Sequence, residues 1–261
     1  MAKPVLVFWG MFSVLLGLVF LLSKRRGNQE SEILVVHCAA GLQKPVRAIV
    51  LEFEKNRGVR VDLNVAGSGV LGSQVKVAGG DLYIPADDSY ILQAQSEGLV
   101  EESMNLVKLQ PVLVVKKGNP KRLQTLNDRS AQSVRLSMPD TSAAIGKYVY
   151  EVLNADGKWV LLGSRVVVMK STVNQVVEDV AYGATDATFA WGAVAAQYDE
   201  VETIHLEEFK EAVRYAPAGV LKGGNTQLAR ELMHYLASSK FAHTVYEDMG
   251  YESLSGEADY E

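Results

Sequence analysis

Gly67-Ser68-Gly69 sets a small hydroxyl between glycines. It directly follows an alternating run, residues 59–65, in which Val59, Val61, Leu63 and Val65 share one face. Val70, Leu71, Gln74, Val75 and Val77 then recur at roughly helical spacing, so the order is strand, glycine turn, helix start. The first amides of a helix lack partners within it and carry partial positive charge, so such a turn can hold an anion without a lysine. The same turn is also common α/β geometry, and taken alone it leaves both readings open. A second turn of this kind, His37-Cys38-Ala39-Ala40-Gly41-Leu42, follows the apolar residues 33–36. Two such turns in neighbouring units can converge at the carboxyl ends of parallel strands, where α/β folds bind ligands.

Other chemistry is poorly provided for. Ser68 resembles a nucleophile, but residue 66 is alanine, so the G-x-S-x-G pattern is absent. Gly67-x-Gly69-x-x-Gly72 has dinucleotide-motif spacing, yet Asp87 or Asp88, the acid it would need, does not end the next strand after an ordinary long helix. Asp87-Asp88 has the composition of a catalytic or metal-binding pair, and the local pattern favours a helix cap. Of His37, His205, His234 and His243, only His37 falls near the two turns, and no cluster has metal-ligand spacing. The expectation is a non-enzymatic protein with no cofactor and no bound metal cation.

The elements that must position these turns alternate along the chain. Pro45, Val46, Ile49, Val50 and Phe53 describe a helix stopped by Asn56-Arg57-Gly58. Residues 81–84, 112–115, 134–138, 166–168 and 201–204 read as strands, and residues 213–221, broken by Pro217, as a return to the first lobe. Thr141 or Ser142 is placed to cap a helix over residues 143–155. Ser171 or Thr172 is placed to cap one carrying Val173, Val176, Val177 and Val180, and Asn225 opens another with Leu228, Ala229, Leu232, Met233 and Leu236 inside. The pattern predicts a mixed α/β protein with parallel sheets.

The formal charge is −5, and Lys3, Lys24, Arg25 and Arg26 near the start offset a more acidic remainder, which argues against nucleic acid as a partner. The single Cys38 excludes an internal disulfide and reads as a buried small hydrophobe. Residues 4–22 are almost unbroken apolar sequence, long enough to span a bilayer, with no small-x-small cleavage site after them. They are read as an uncleaved anchor, followed by a short polar tether. The basic residues after the run would, by the positive-inside bias, place the main domain in the cytoplasm.

The ordered fragments also resemble a family. His37-Cys38-Ala39-Ala40-Gly41-Leu42 is similar to the first ligand loop of the molybdate-binding proteins of ABC transporters. The likeness continues through Gly58-Val59-Arg60-Val61, Gly67-Ser68-Gly69 with Leu71 and Gln74, and Asp81-Leu82-Tyr83-Ile84-Pro85-Ala86-Asp87. Val112-Leu113-Val114-Val115, Lys117-Gly118-Asn119-Pro120, Pro139-Asp140, Gly146-Lys147-Tyr148, Val173-Asn174-Gln175, Leu236-Ala237-Ser238-Ser239 and Gly250-Tyr251 complete it.

The resemblance implies an α/β, bilobed, periplasmic-binding-protein-like fold, with two α/β lobes joined by two crossing strands. Residues 1–32 would be anchor and tether, 33–111 with 214–261 the first lobe, and 112–213 the second. It implies a protein that closes on a tetrahedral oxyanion, molybdate or tungstate, and hands it to an ABC transporter permease. By position, the family's ligand residues fall on Gly41, Ser68, Ile145 (or Ala144 if the loop shifts), Val173 and Trp191. Ala40, Gly67, Gly69, His37 and Ala144 would support them. Gly41 and Trp191 replace a serine and a tyrosine of the family pattern, and Val194 replaces an aspartate. The resemblance also implies a domain on the periplasmic or extracellular side of the cytoplasmic membrane, against the charge bias. The alternative is a membrane-tethered sensory or interaction module of the same fold, with an altered or lost ligand.

Overall fold

Alternation from Leu34 to Cys38 makes strand β1 (Ile33–Ala39), in which Leu34, Val36 and Cys38 are wholly buried. The structure, a computed structural model, describes residues 32–126 and 133–254. The apolar segment read as an anchor lies outside them. Among the described residues no helix is long and apolar enough to cross a membrane.

After β1 a 3-10 turn (Ala40–Leu42) leads into α1 (Gln43–Arg57), which buries Val46, Ile49, Val50 and Phe53 and ends on left-handed Gly58. Strand β2 (Arg60–Ala66), α2 (Ser68–Ala78), β3 (Leu82–Ile84) and α3 (Asp88–Ser96) repeat the alternation. Strand β4 (Val100–Leu109) then runs to Gln110, and β5 (Pro111–Lys116) begins a second sheet. That sheet is completed by β6 (Leu136–Pro139), α4 (Ala144–Ala155), α5 (Trp159–Gly163), β7 (Val166–Lys170), α6 (Val173–Ala181), β8 (Ala187–Trp191), α7 (Gly192–Ala195) and β9 (Val201–Ile204). The chain returns through β10 (Arg214–Leu221) and closes with α8 (Thr226–Ser238), α9 (Lys240–Asp248) and β11 (Glu252–Ser253).

The strand orders are β11-β4-β10-β3-β1-β2 and β7-β6-β8-β5-β9, with helices packed on both sheets, so the fold is α/β and bilobed as expected. The sheets are mixed rather than parallel. β1 runs parallel to β2 and β3, and β6 to β7 and β8, but β10 lies antiparallel to β3 and β4, and β5 antiparallel to β8 and β9. Pro217 sits at a register shift in the β10–β4 pairing, where a residue without an N–H is tolerated.

Local capping follows the chemistry of short polar side chains. Asp87 accepts from Ser89 N at 2.9 Å and caps α3, while Arg214 Nε lies 3.5 Å from its carboxylate. Thr172 accepts from Gln175 N at 3.4 Å, and Asn225 from Leu228 N at 3.3 Å. Thr141 and Ser142 do not cap α4. Ala143 occupies that position with no side-chain bond, because the Asp140 carboxylate draws in both the amide and the hydroxyl of Ser142. Cys38 is fully buried, and burial pushes its thiol pKa up.

Candidate functional site: an interlobe cavity of helix starts

The candidate residues sit where strands hand over to helices. In the first lobe, Gly41 follows β1 in the 3-10 turn, and Gly67-Ser68 joins β2 to α2. In the second, Ala144 and Ile145 start α4, Val173 starts α6 and Trp191 ends β8 before α7. All are at strand carboxyl ends, the usual ligand side of such sheets. Gly41, Ser68, Ile145, Val173 and Trp191 line one cavity together with Ala40, Gly67 and Ala144. Thr172 also lines it, with a hydroxyl whose sequence signature is that of a helix cap. Ala39, Ala66, Ala86 and Ala143 complete the wall, and none of the lining residues is charged.

The two first-lobe turns are held from behind by phenols. Tyr83 OH donates to Ser68 O at 2.7 Å, and Tyr251 OH donates to Gly41 O. Burial pushes both phenol pKa values up, so they remain donors at neutral pH. Ser68 is 1% exposed, and its Oγ accepts from Ala86 N at 3.1 Å, which leaves its own proton to donate elsewhere. Peptide planes and hydroxyl are thus set before any ligand arrives.

The lobes are closed on each other. Gly69 N donates across to Ser142 O at 2.8 Å, so its amide serves closure rather than the cavity, which it does not line. Lys147 Nζ reaches Ser89 Oγ at 3.4 Å, and Arg214 stacks over the Tyr148 ring at 4.3 Å. A Cβ on Gly41 would come within 3.2 Å of Val173 Cγ1, 3.4 Å of Val194 Cγ2 and 3.5 Å of Trp191 Cδ1. Trp191 and Val194 thus fill the space opposite a residue that has no side chain. The remaining cavity is about 10 Å³, room for one water at most, so a four-oxygen anion enters only when the walls part.

His37 does not belong to this site. Its Nε2 lies 2.8 Å from Gly79 O and its Nδ1 3.1 Å from Asn64 Nδ2, so Nε2 carries the proton and both nitrogens are engaged. It borders a separate, open cavity of about 700 Å³ with Asp62, Asp81 and Lys222. It cannot supply the hydroxyl that Gly41 lacks.

Residues 34–252 match the family described as bacterial extracellular solute-binding protein. A Haemophilus influenzae protein named "Putative binding protein" is 28% identical over 156 residues, 59% of this chain. The chain spans 64% of that relative's length, just under two thirds. The periplasmic molybdate-binding protein of Azotobacter vinelandii superposes with a TM-score of 0.67 at 20% identity, covering 84% of this chain and 98% of that one. The periplasmic binding protein AfuA of Actinobacillus pleuropneumoniae, with fructose-6-phosphate bound, superposes with a TM-score of 0.73 at 14% identity, covering 87% and 86%. At these identities the two structures show the fold alone. The family match covers both sheets and every residue lining the cavity, and the chain belongs to the bacterial extracellular solute-binding proteins.

Proposed function

We propose that this protein binds a small oxyanion, molybdate or tungstate foremost, between its lobes and delivers it to an ABC transporter permease. One observation carries the reading: helix starts from both lobes, at Gly41, Ser68, Ile145 and Val173, face a single cavity with no charged wall. Amides at helix starts satisfy an anion without the cost of burying a counter-charge. The Ser68 hydroxyl adds a donor from the first lobe and the Thr172 hydroxyl one from the second. No carboxylate lines the cavity, so an oxyanion that keeps a proton at neutral pH, such as phosphate, leaves its O–H without the charged acceptor it prefers.

The mechanism is capture and closure, with no covalent step. The lobes part, the anion meets one set of amides, and the second set completes its shell as the Gly69–Ser142 bond re-forms. Calorimetry with molybdate, tungstate, sulfate and phosphate tests the reading. Ser68→Ala should weaken molybdate binding about tenfold or more, the range of one charge-assisted hydrogen bond. A wild-type protein that answers none of the four anions removes the ligand assignment and leaves a tethered interaction module of the same fold.

Delivery to a permease needs the domain outside the cytoplasmic membrane, held there by the apolar segment at residues 4–22. Protease added to spheroplasts should then degrade the domain. Full protection in sealed cells, with digestion after lysis, would place it on the other side.

A further inference from the structure

We infer that Tyr251 is a positioning residue that couples the Gly41 turn to the second lobe through Gln197. The Tyr251 hydroxyl donates to Gly41 O, a contact across 210 residues of sequence, and accepts from Gln197 Nε2 at 3.0 Å. A phenol has one proton, so giving it to Gly41 leaves a lone pair for Gln197, and successive bonds of this kind polarise one another. Gln197 Nε2 also donates to Ala193 O at 3.1 Å, which fixes its amide to the turn of its own lobe. Gln197 Oε1 is buried with no partner among the described residues, so the side chain holds these two donor bonds despite an unmet acceptor.

The contact is built into the packing around it. Tyr251 is 2% exposed, with its ring 6.3 Å edge-on from Tyr246. At Gly250, where φ is +81°, a Cβ would lie 3.2 Å from Ala196 Cβ, so the two segments meet backbone to side chain. Gly192 N donates to Gln110 O at 2.9 Å, which puts this patch beside the crossing from β4 to β5. Bending at that crossing moves Gln197 relative to Tyr251.

The consequence for the anion turn follows from peptide geometry. A trans peptide is planar, so anchoring Gly41 O fixes the plane of the Gly41–Leu42 peptide and with it the end of the turn whose Ala40 and Gly41 line the cavity. Lobe movement is thereby transmitted to that peptide without any contact between Gln197 and ligand.

The test is hydrogen exchange of the amides of residues 40–43 in the full chain, wild type and variants. Gln197→Leu removes the donor. Gln197→Glu keeps the shape and offers a carboxylate oxygen that accepts the Tyr251 O–H hydrogen bond in place of Gly41 O. Tyr251→Phe keeps the ring and removes the relay. Each should speed exchange of residues 40–43 about tenfold, and Gln197→Leu should add nothing in the Tyr251→Phe background, since coupled partners are not additive. Wild-type exchange there in both Gln197 variants, or independent effects that sum, would overturn the inference. Molybdate affinity is the second arm, which rests on the oxyanion reading: it should fall about five- to tenfold with the same non-additivity. Undiminished affinity in Gln197→Leu and Gln197→Glu, in a protein whose wild type binds, would also overturn it. If the wild type binds no molybdate, the oxyanion reading falls alone, and the exchange arm still decides the relay.

Discussion

Gly67→Ala should give a protein whose lobes fold but no longer close, with molybdate affinity lowered about ten- to hundredfold. A Cβ at residue 67 would lie 2.9 Å from both Ser142 O and Ser171 O. Those carbonyls belong to the turns before α4 and α6, in the opposite lobe. The backbone at Gly67, φ −65° and ψ 148°, suits any residue, so alanine brings no strain while the lobes are apart. The whole penalty therefore falls on the closed form. Small-angle scattering of the ligand-free variant should report a larger radius of gyration than wild type, and calorimetry the weaker binding. Wild-type scattering together with wild-type affinity would show that the methyl group is accommodated, and that the close approach does not govern closure.

Gly146→Ala should act on stability instead. A Cβ there would stand 2.1 Å from Asp140 O and 2.4 Å from Pro139 O, both backbone atoms of the same lobe. Neither can move aside as a flexible side chain would, so the start of α4 must lift from the end of β6. A loss of about 3 kcal/mol or more is expected, at the upper end of overpacking costs. Urea unfolding should show the ligand-free midpoint falling, with molybdate raising the midpoints of wild type and variant alike, since a ligand bound only by the folded form stabilises both. A midpoint within error of wild type would mean that the helix start shifts freely. The two glycines separate the roles of one motif: residue 146 builds a lobe, and residue 67 lets two lobes meet.

The sequence made the two strand-to-helix turns legible because their cause is local. Strand alternation, a small-residue turn and a helix start are all written within a dozen residues of Ser68 and of Gly41, and Asp87, Thr172 and Asn225 announce their caps in the same way. What it concealed has causes far apart in the chain. Strand β4 carries Glu101, Glu102, Ser103, Asn105 and Lys108 with no clean alternation, and it is held by antiparallel pairing with β10, about a hundred residues later. That pairing also turns an expected parallel sheet into a mixed one.

The candidate site divides along the same line. Its glycines and hydroxyl could be read, but the fit of Gly41 against Val173, Trp191 and Val194 joins three elements of the other lobe. His37 is two residues from Ala39 in sequence and still faces a different cavity, because Asn64 and Gly79 claim its ring. Tyr251 was legible as part of a family pattern, whereas its bond to a carbonyl 210 residues away was not.

Cys38, the chain's one cysteine, is sealed in the interior of the first lobe with its thiol held protonated. Maleimide dyes thus find no native target while the protein is folded. Two engineered attachment points, one on each rim, would carry a donor and an acceptor fluorophore without background, and opening and shutting could be followed as light, one molecule at a time.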